Sequence, residues 1–300
     1  MLEPYRILTV QPEWVLEKEA LGSKEKFWCR WPEGKVSWLF KYCQPHTGQH
    51  WAEKIASEIA EVLGILHAHV DLAVFNGERG SLSESFARRG RSLFHGNQIL
   101  AGKVIGYNPD RRFRQSDHTL ANILRALEGG FATPESARKS KEQLAGYLVL
   151  DALIGNTDRH HENWGILLKM TSAGWEGIVA PTFDHASSLG RELLDEGPGK
   201  RRQTLLHSKS VGSYLEKARG AIFWDDGDAH GLSPLELVRR ACRESLQLFS
   251  PTLHRLERID RSSIESIVNR VPDDWMTAMA RQFAIELMCY SLRELREIKL

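Results

Sequence analysis

Cysteine is scarce in this chain: Cys29, Cys43, Cys242 and Cys289 are the four in 300 residues. They are scattered, without metal-ligand spacing or the density of a disulfide scaffold, as expected of reduced thiols in a cytosol. Charge of one sign is lacking too. Lys and Arg number 40 against 39 Asp and Glu, for a formal net charge of +1. No global basic field then points to nucleic acid, and no direct nucleic-acid partner is expected. Long apolar runs are absent. Met1 to Trp14 carries Glu3, Pro4, Arg6, Pro12 and Glu13, which excludes a secretory signal, and no stretch approaches a membrane span. The expectation is a cytoplasmic protein with no membrane partner. No internal repeat or low-complexity tract is visible. A 42% hydrophobic, 26% charged chain of this length buries a sizeable core.

The informative stretch is Gly155-Asn156-Thr157-Asp158-Arg159-His160-His161-Glu162-Asn163, followed by Thr182-Phe183-Asp184. Upstream, Glu142 to Ile154 is apolar nearly all round, which describes a buried helix. Gly155 stands where a helix end favours positive φ. Downstream, Gly165 to Met170 reads as a strand, Thr171 to Gly177 as a turn, and Ile178 to Phe183 as a returning strand. Antiparallel pairing brings Asn163 and Asp184 to one end despite 21 intervening steps of sequence. Pro181 has no N–H for the ladder, so the returning strand is expected at an edge or to pair little beyond that point.

Asp158 and Asn163 are five positions apart. Phosphoryl transfer uses an Asp to take the acceptor hydroxyl's proton, an Asn to hold magnesium, and a second Asp for ions bridging the nucleotide phosphates. Here the three occur in the order that protein kinases use. Singly, Asp158 reads as an Asx-turn or helix-cap residue and Asn163 as a turn former. Their shared spacing carries the chemistry.

The Asp-Arg-His, two variable residues and Asn of this loop resemble the HipA-like serine/threonine kinases; phosphoinositide kinases carry a related loop. Trp38-Leu39-Phe40-Lys41-Tyr42 looks like that family's strand whose Lys contacts nucleotide phosphates. Glu53, followed by Ile59-Ala60 and Leu63-Gly64-Ile65, is similar to its helix bearing the partner Glu. Independently, Ala52, Ile55, Ala56, Ile59, Ala60 and Leu63 form one apolar stripe that Glu53 borders, while Glu58 lies off the other edge and Glu61 points away. Leu21 to Phe27, with Gly22, Ser23 and Lys24, looks like the phosphate-covering loop. One glycine is a weak signal: on sequence alone a plain surface turn with solvated lysines is the stronger reading, and only the loop's position one hairpin before Lys41 raises the other.

The resemblance implies an α+β, bilobal protein-kinase-like fold: residues 1–86 as a small strand-rich N-terminal lobe, and 87–300 as a larger helical lobe with the catalytic loop and metal-binding hairpin. Helical patterning at His118–Leu127, Lys141–Ile154, Pro234–Phe249 and Asp273–Arg296 agrees. It implies ATP and Mg2+ as cofactors and a protein substrate with a Ser/Thr acceptor, possible self-phosphorylation included. Asp158 would orient or deprotonate the hydroxyl, Asn163 and Asp184 would hold magnesium, Lys41 paired with Glu53 would ground the phosphates, and His160 would brace the loop. Longer family members carry an additional N-terminal subdomain and pair with a DNA-binding antitoxin. A loop starting near residue 22 leaves no room for that subdomain, so a short standalone form is expected, with an antitoxin-like regulator as the implied partner.

Other residues admit several readings. His161 and Glu162 read as exposed spacers, Arg159 as a support for Asp158 or a phosphate, and Asp151 as a satisfied buried group or loop brace. Arg88-Arg89-Gly90-Arg91, Arg111-Arg112-Phe113-Arg114 and Lys200-Arg201-Arg202 suit solvated faces, the last lying where an acidic substrate would be received. Two rival functions use the same residues. Asp158, His160, His161, Asp184 and His185 are competent ligands for a two-metal phosphoesterase. Asp184-His185-Ala186, in place of the usual Asp-Phe-Gly, leaves open a catalytically weak nucleotide sensor.

Overall fold

A computed structural model describes residues 3–18, 25–87, 90–111, 114–128, 131, 133–172, 174–195 and 201–299. Short alternating segments dominate its first third. They form β1 (Ile7–Val10), β2 (Val15–Lys18), β3 (Lys26–Cys29), β4 (Trp38–Tyr42), β5 (Val70–Phe75) and β6 (Glu78–Glu84), with α1 (Gln49–Val62) between β4 and β5. The sheet order is β1-β5-β6-β4-β3-β2. Only the β1–β5 pair is parallel among these, Ile7 facing Leu72. Asn76 and Gly77 take φ of 51° and 81°, the left-handed pair a tight hairpin needs. Glu78 to Gly80 then begin β6, paired with Phe75 to Ala73 of β5.

Period-two alternation sorts the two faces of this sheet. Phe27, Phe40 and Leu82 bury together with Val10, Cys29 and Ala73 on one side. The Phe27 and Phe40 rings stack at 5.0 Å. The intervening residues Lys26, Trp28, Leu39, Lys41 and Ser83 face a cavity on the other side.

The remainder is mainly helical around a second, smaller sheet. Its elements are β7 (Ser92–His95), α2 (Gly96–Ala101), α3 (Leu120–Glu128), α4 (Pro134–Ile154), β8 (Gly165–Thr171), β9 (Gly174–Val179), α5 (Arg201–His207), α6 (Val211–Lys217), α7 (Pro234–Arg255), α8 (Arg261–Val268) and α9 (Ala278–Arg296). The order β7-β8-β9 leaves β9 at an edge. The returning strand is therefore shifted from its expected range: it begins at Gly174 and stops at Val179, before Pro181. Helix α4 starts earlier than its apolar run, because Thr133 caps it by accepting the Ser136 N–H and Pro134 opens the first turn. Helix α9 starts later than expected, at the point where Thr277 accepts the Ala280 N–H. Helix α7 continues past Phe249 to Arg255, through a non-helical Ser245.

Helix α4 is the spine of the helical part. Its last residues, Leu144 to Ile154, are buried and pack against α3, α7 and α9. In the C-terminal segment Trp275, Phe283, Leu287 and Leu292 are buried, while Met279 and Tyr290 are partly buried. No helix among the described residues is long and apolar enough to cross a membrane.

Candidate active site

The loop begins where α4 ends. Gly155 adopts φ of 65° and closes the helix, its N–H donating to Asp151 O. A Cβ there would approach the Leu215 side chain to 2.9 Å, so both backbone and space favour glycine. The chain then turns tightly: His160 N–H donates to Asp158 O at 2.8 Å and Asn163 N–H to His160 O at 2.9 Å. The Asn163 side chain closes the turn, its Nδ2 donating to Asp158 O at 2.7 Å. That bond is the physical content of the five-residue spacing, and it leaves Oδ1 as the side chain's acceptor.

Under the loop lies a buried ion pair. Arg159 and Asp151 are 3% and 2% exposed. Arg159 donates from Nε to Asp151 Oδ2 at 2.7 Å and from Nη2 to Oδ1 at 2.8 Å. The guanidinium also reaches Asn163 O, Phe183 O and Thr182 Oγ1 at 2.5, 3.3 and 2.9 Å. Asn156 Nδ2 completes the Asp151 carboxylate at 2.7 Å. Burial works against the Arg159 charge, but Asp151 outweighs it and holds the guanidinium pKa above its ordinary value. Arg159 thus faces the interior and steadies the backbone, not the Asp158 carboxylate or a phosphate. The signal in the sequence was Asp151, a lone carboxylate midway along an apolar helix.

A third strand of contacts ties the two sheets together. Thr182 N–H donates to Leu66 O and Ala68 N–H to Thr182 O, both at 2.9 Å. This anchors the segment after β9 to the loop after α1. Thr182 Oγ1 contacts His185 Nε2 at 2.8 Å, and His185 N–H donates to Glu53 Oε1 at 3.0 Å. Between them Asp184 takes φ of 58°, in the left-handed region that a short polar side chain tolerates.

Lys41 makes its ion pair with Asp184, Nζ to Oδ1 at 3.2 Å. The expected direct Lys41–Glu53 pair is replaced by this contact, since Glu53 is engaged with His185 and its Oε2 is buried without a hydrogen-bond partner. The two charges still feel one another. Burial disfavours the Lys41 ammonium, yet Asp184 and then Glu53 outweigh it and raise its pKa. Burial likewise opposes the Glu53 carboxylate, and Lys41 overrides it to give a lowered pKa.

Lys41, Asp158, Asn163 and Asp184 all line one cavity of about 520 Å³ between the two sheets. Glu53 and His160 stand behind its wall. His160 is buried, and its Nδ1 accepts the Glu162 N–H at 3.2 Å. His161, expected as an exposed spacer, is 1% exposed and bonded to the Tyr107 hydroxyl at 2.7 Å. Gly22, Ser23 and Lys24 lie outside the described residues. Sequence reasoning missed Ser187 as a site residue: its Oγ donates to Asp158 Oδ2 at 3.3 Å and accepts Arg191 Nη2 at 3.2 Å.

Among the described residues, no three His, Cys, Asp or Glu side chains gather to hold a metal. The ligand set of the phosphoesterase reading is therefore not assembled, with His185 and His161 turned to Thr182 and Tyr107. Asp184 and Asn163 offer one carboxylate and one amide oxygen. That donor set fits magnesium, which binds through one or two carboxylates and draws further ligands from substrate phosphates and water.

The fold places this chain in the two-lobed α+β, kinase-like class. It superposes on the Helicobacter pylori proinflammatory kinase CtkA with a TM-score of 0.78 over 98% of each chain, at 19% identity. HipA of Shewanella oneidensis MR-1, solved with HipB and operator DNA, matches with a TM-score of 0.58 at 18% identity, over 97% of this chain and 69% of that one. The model of the HipA-like C-terminal domain matches residues 19–249, and the chain belongs to that family. No curated protein matches the sequence.

Proposed function

We propose that the chain is an ATP- and magnesium-dependent protein kinase that transfers the γ-phosphoryl group to a Ser or Thr hydroxyl, its own included. The observation that carries this reading is the convergence of Lys41, Asp158, Asn163 and Asp184 on one cavity. Apolar walls from Leu39, Phe86, Leu93 and Phe183 suit a flat base beside these polar groups. Family membership supports the same activity.

In this mechanism Asp158 accepts the proton of the acceptor hydroxyl as its oxygen bonds to the γ-phosphorus, and ADP leaves as the β–γ bridging bond breaks. Asn163 and Asp184 would hold magnesium, which when bound would neutralise charge on the phosphates. Lys41 places its ammonium against them. Glu53 acts at one remove, by holding the His185 N–H and so the backbone that aims Asp184. The Asp151–Arg159 pair fixes the loop from below. Positioning and charge stabilisation supply most of the rate. The lobes divide near residue 86 in this reading, so the cavity lies at their junction. An antitoxin-like regulator is the partner proposed for it, as HipA is solved with HipB.

Labelled ATP and magnesium, with mass spectrometry of the chain and a general protein substrate, test the reading. Asp158→Ala lowers transfer by roughly 10²–10⁴-fold while ATP still binds. Undiminished transfer in that variant removes Asp158 from its role. Phosphate release without protein labelling indicates hydrolysis, and tight binding with neither product indicates a sensor.

A further inference from the structure

A second cavity, of about 780 Å³, meets the first at Asp158, Ser187 and Arg191. It lies on the side of Asp158 away from the Lys41 strand, and its wall is built by α5, α6 and the segments flanking them. Four cations line it: Arg191, Arg201, Lys217 and Arg219. Among the described residues its lining carboxylates are Asp158 and Glu192, and Glu192 accepts the Tyr214 hydroxyl at 2.6 Å.

Several cations elsewhere are neutralised locally. Arg202 pairs with Asp195, Arg239 with Glu294, and Arg261 with Glu265 and Glu286. Arg202, placed by its sequence in the same basic run as Arg201, is buried in its pair and so withdrawn from the cavity. Among the described residues, Arg201, Lys217 and Arg219 have no ion-pair partner and are exposed. Arg191 sits deepest. Its Nη2 reaches Ser187 Oγ, while its Nε is buried without a hydrogen-bond partner. A buried donor left open beside the acceptor position is costly unless something accepts from it. With a formal net charge of only +1 for the chain, this local excess is not a by-product of composition.

We propose, resting on the kinase reading, that this cavity receives the acceptor segment of a protein and selects one carrying anionic side chains beside its Ser or Thr. The anion is a carboxylate or a phosphate already present on the segment; both present oxygens that a guanidinium fork recognises. Arg191 takes the group nearest the hydroxyl, and Arg201, Lys217 and Arg219 take those further along.

The test uses the full chain with labelled ATP, magnesium and three Ser peptides identical except for flanking Glu, phosphoserine or Lys. The Glu and phosphoserine peptides separate the two anion sources. For at least one of them kcat/KM exceeds that of the Lys peptide by about tenfold or more, the sum of several modest exposed charge pairs. Arg201→Glu with Lys217→Glu and Arg219→Glu inverts the order, so the variant gains the Lys peptide. That gain also shows that it folds. Where the variant is insoluble, raising salt from about 0.05 to about 0.5 M on the unmodified chain erodes the preference. Equal use of all three peptides, preference for Lys, or a preference insensitive to both charge reversal and salt overturns the proposal. Equal use together with salt-sensitive binding of a single-stranded RNA, lost in the variant, reassigns the cavity to nucleic acid. Labelling of neither peptide nor chain fails the kinase reading itself, and the proposal falls with it.

Discussion

Replacing Asp151 by Asn tests the brace under the loop without changing its volume. In the native chain the Asp151 carboxylate receives two guanidinium bonds and one from Asn156, all at 2.7 or 2.8 Å. Asn removes the countercharge and turns an N–H2 toward a guanidinium that has only donors to offer. Leaving one buried charge without its partner costs about 3–5 kcal/mol, far more than the ~0.2–1 kcal/mol of an exposed pair. Some is recovered, because Arg159 keeps its bonds to Asn163 O, Phe183 O and Thr182 Oγ1. The expected loss is therefore near the lower end of that range. Urea titrations at neutral pH measure it as a shift in midpoint at constant slope. The double variant Asp151→Leu with Arg159→Met separates folding from function. An apolar replacement of both partners regains most of the stability, but nothing then holds the Asn163 and Phe183 carbonyls, so transfer remains impaired. A loss below about 1 kcal/mol for Asp151→Asn would place the pair among weak surface contacts. Full transfer activity in the double variant would refute the brace.

Asp184→Ala weakens magnesium-dependent nucleotide binding and releases Lys41 from its 3.2 Å contact; calorimetry reads both, and an unchanged affinity counts against the assignment. Acid lowers stability through two buried histidines. Burial pushes His50 down to about 4 and His118 to about 3, so each stays neutral in the folded chain while its unfolded form takes a proton below about 6.5. A depressed folded pKa of this kind gives stability that is complete above the unfolded value and lost as pH falls. Between pH 7 and pH 5 each contributes a loss of about 2 kcal/mol. His118 shows why: its Nδ1 is bonded to Ala221 O, and its Nε2 accepts the Trp164 indole N–H, leaving no place for a second proton. An equally steep acid dependence in His50→Gln/His118→Gln would refute this origin.

The sequence alone carried the local geometry. The Asp158–Asn163 interval is legible because a tight turn closed by a side chain to a backbone carbonyl needs a fixed number of residues. The α1 stripe and the burial of Glu53 followed from helical period, and the edge position of β9 from the missing N–H of Pro181. Short elements escaped it: β7, α5 and α6 have four to seven residues each, too few for a period to register.

What only the tertiary structure decided is which charge meets which. Lys41 and Glu53 are separated by 12 positions, yet side-chain reach across the lobes sets Lys41 on Asp184 and Glu53 on the His185 N–H. Arg159 and Arg202 look like any surface cations in a linear string, and burial turns both inward onto carboxylates. Arg201, next to Arg202, stays exposed at the cavity beside Asp158. Periodicity assigns a residue to a face, but the partner on that face comes from segments distant in the chain, and Coulomb energy and desolvation depend on that partner.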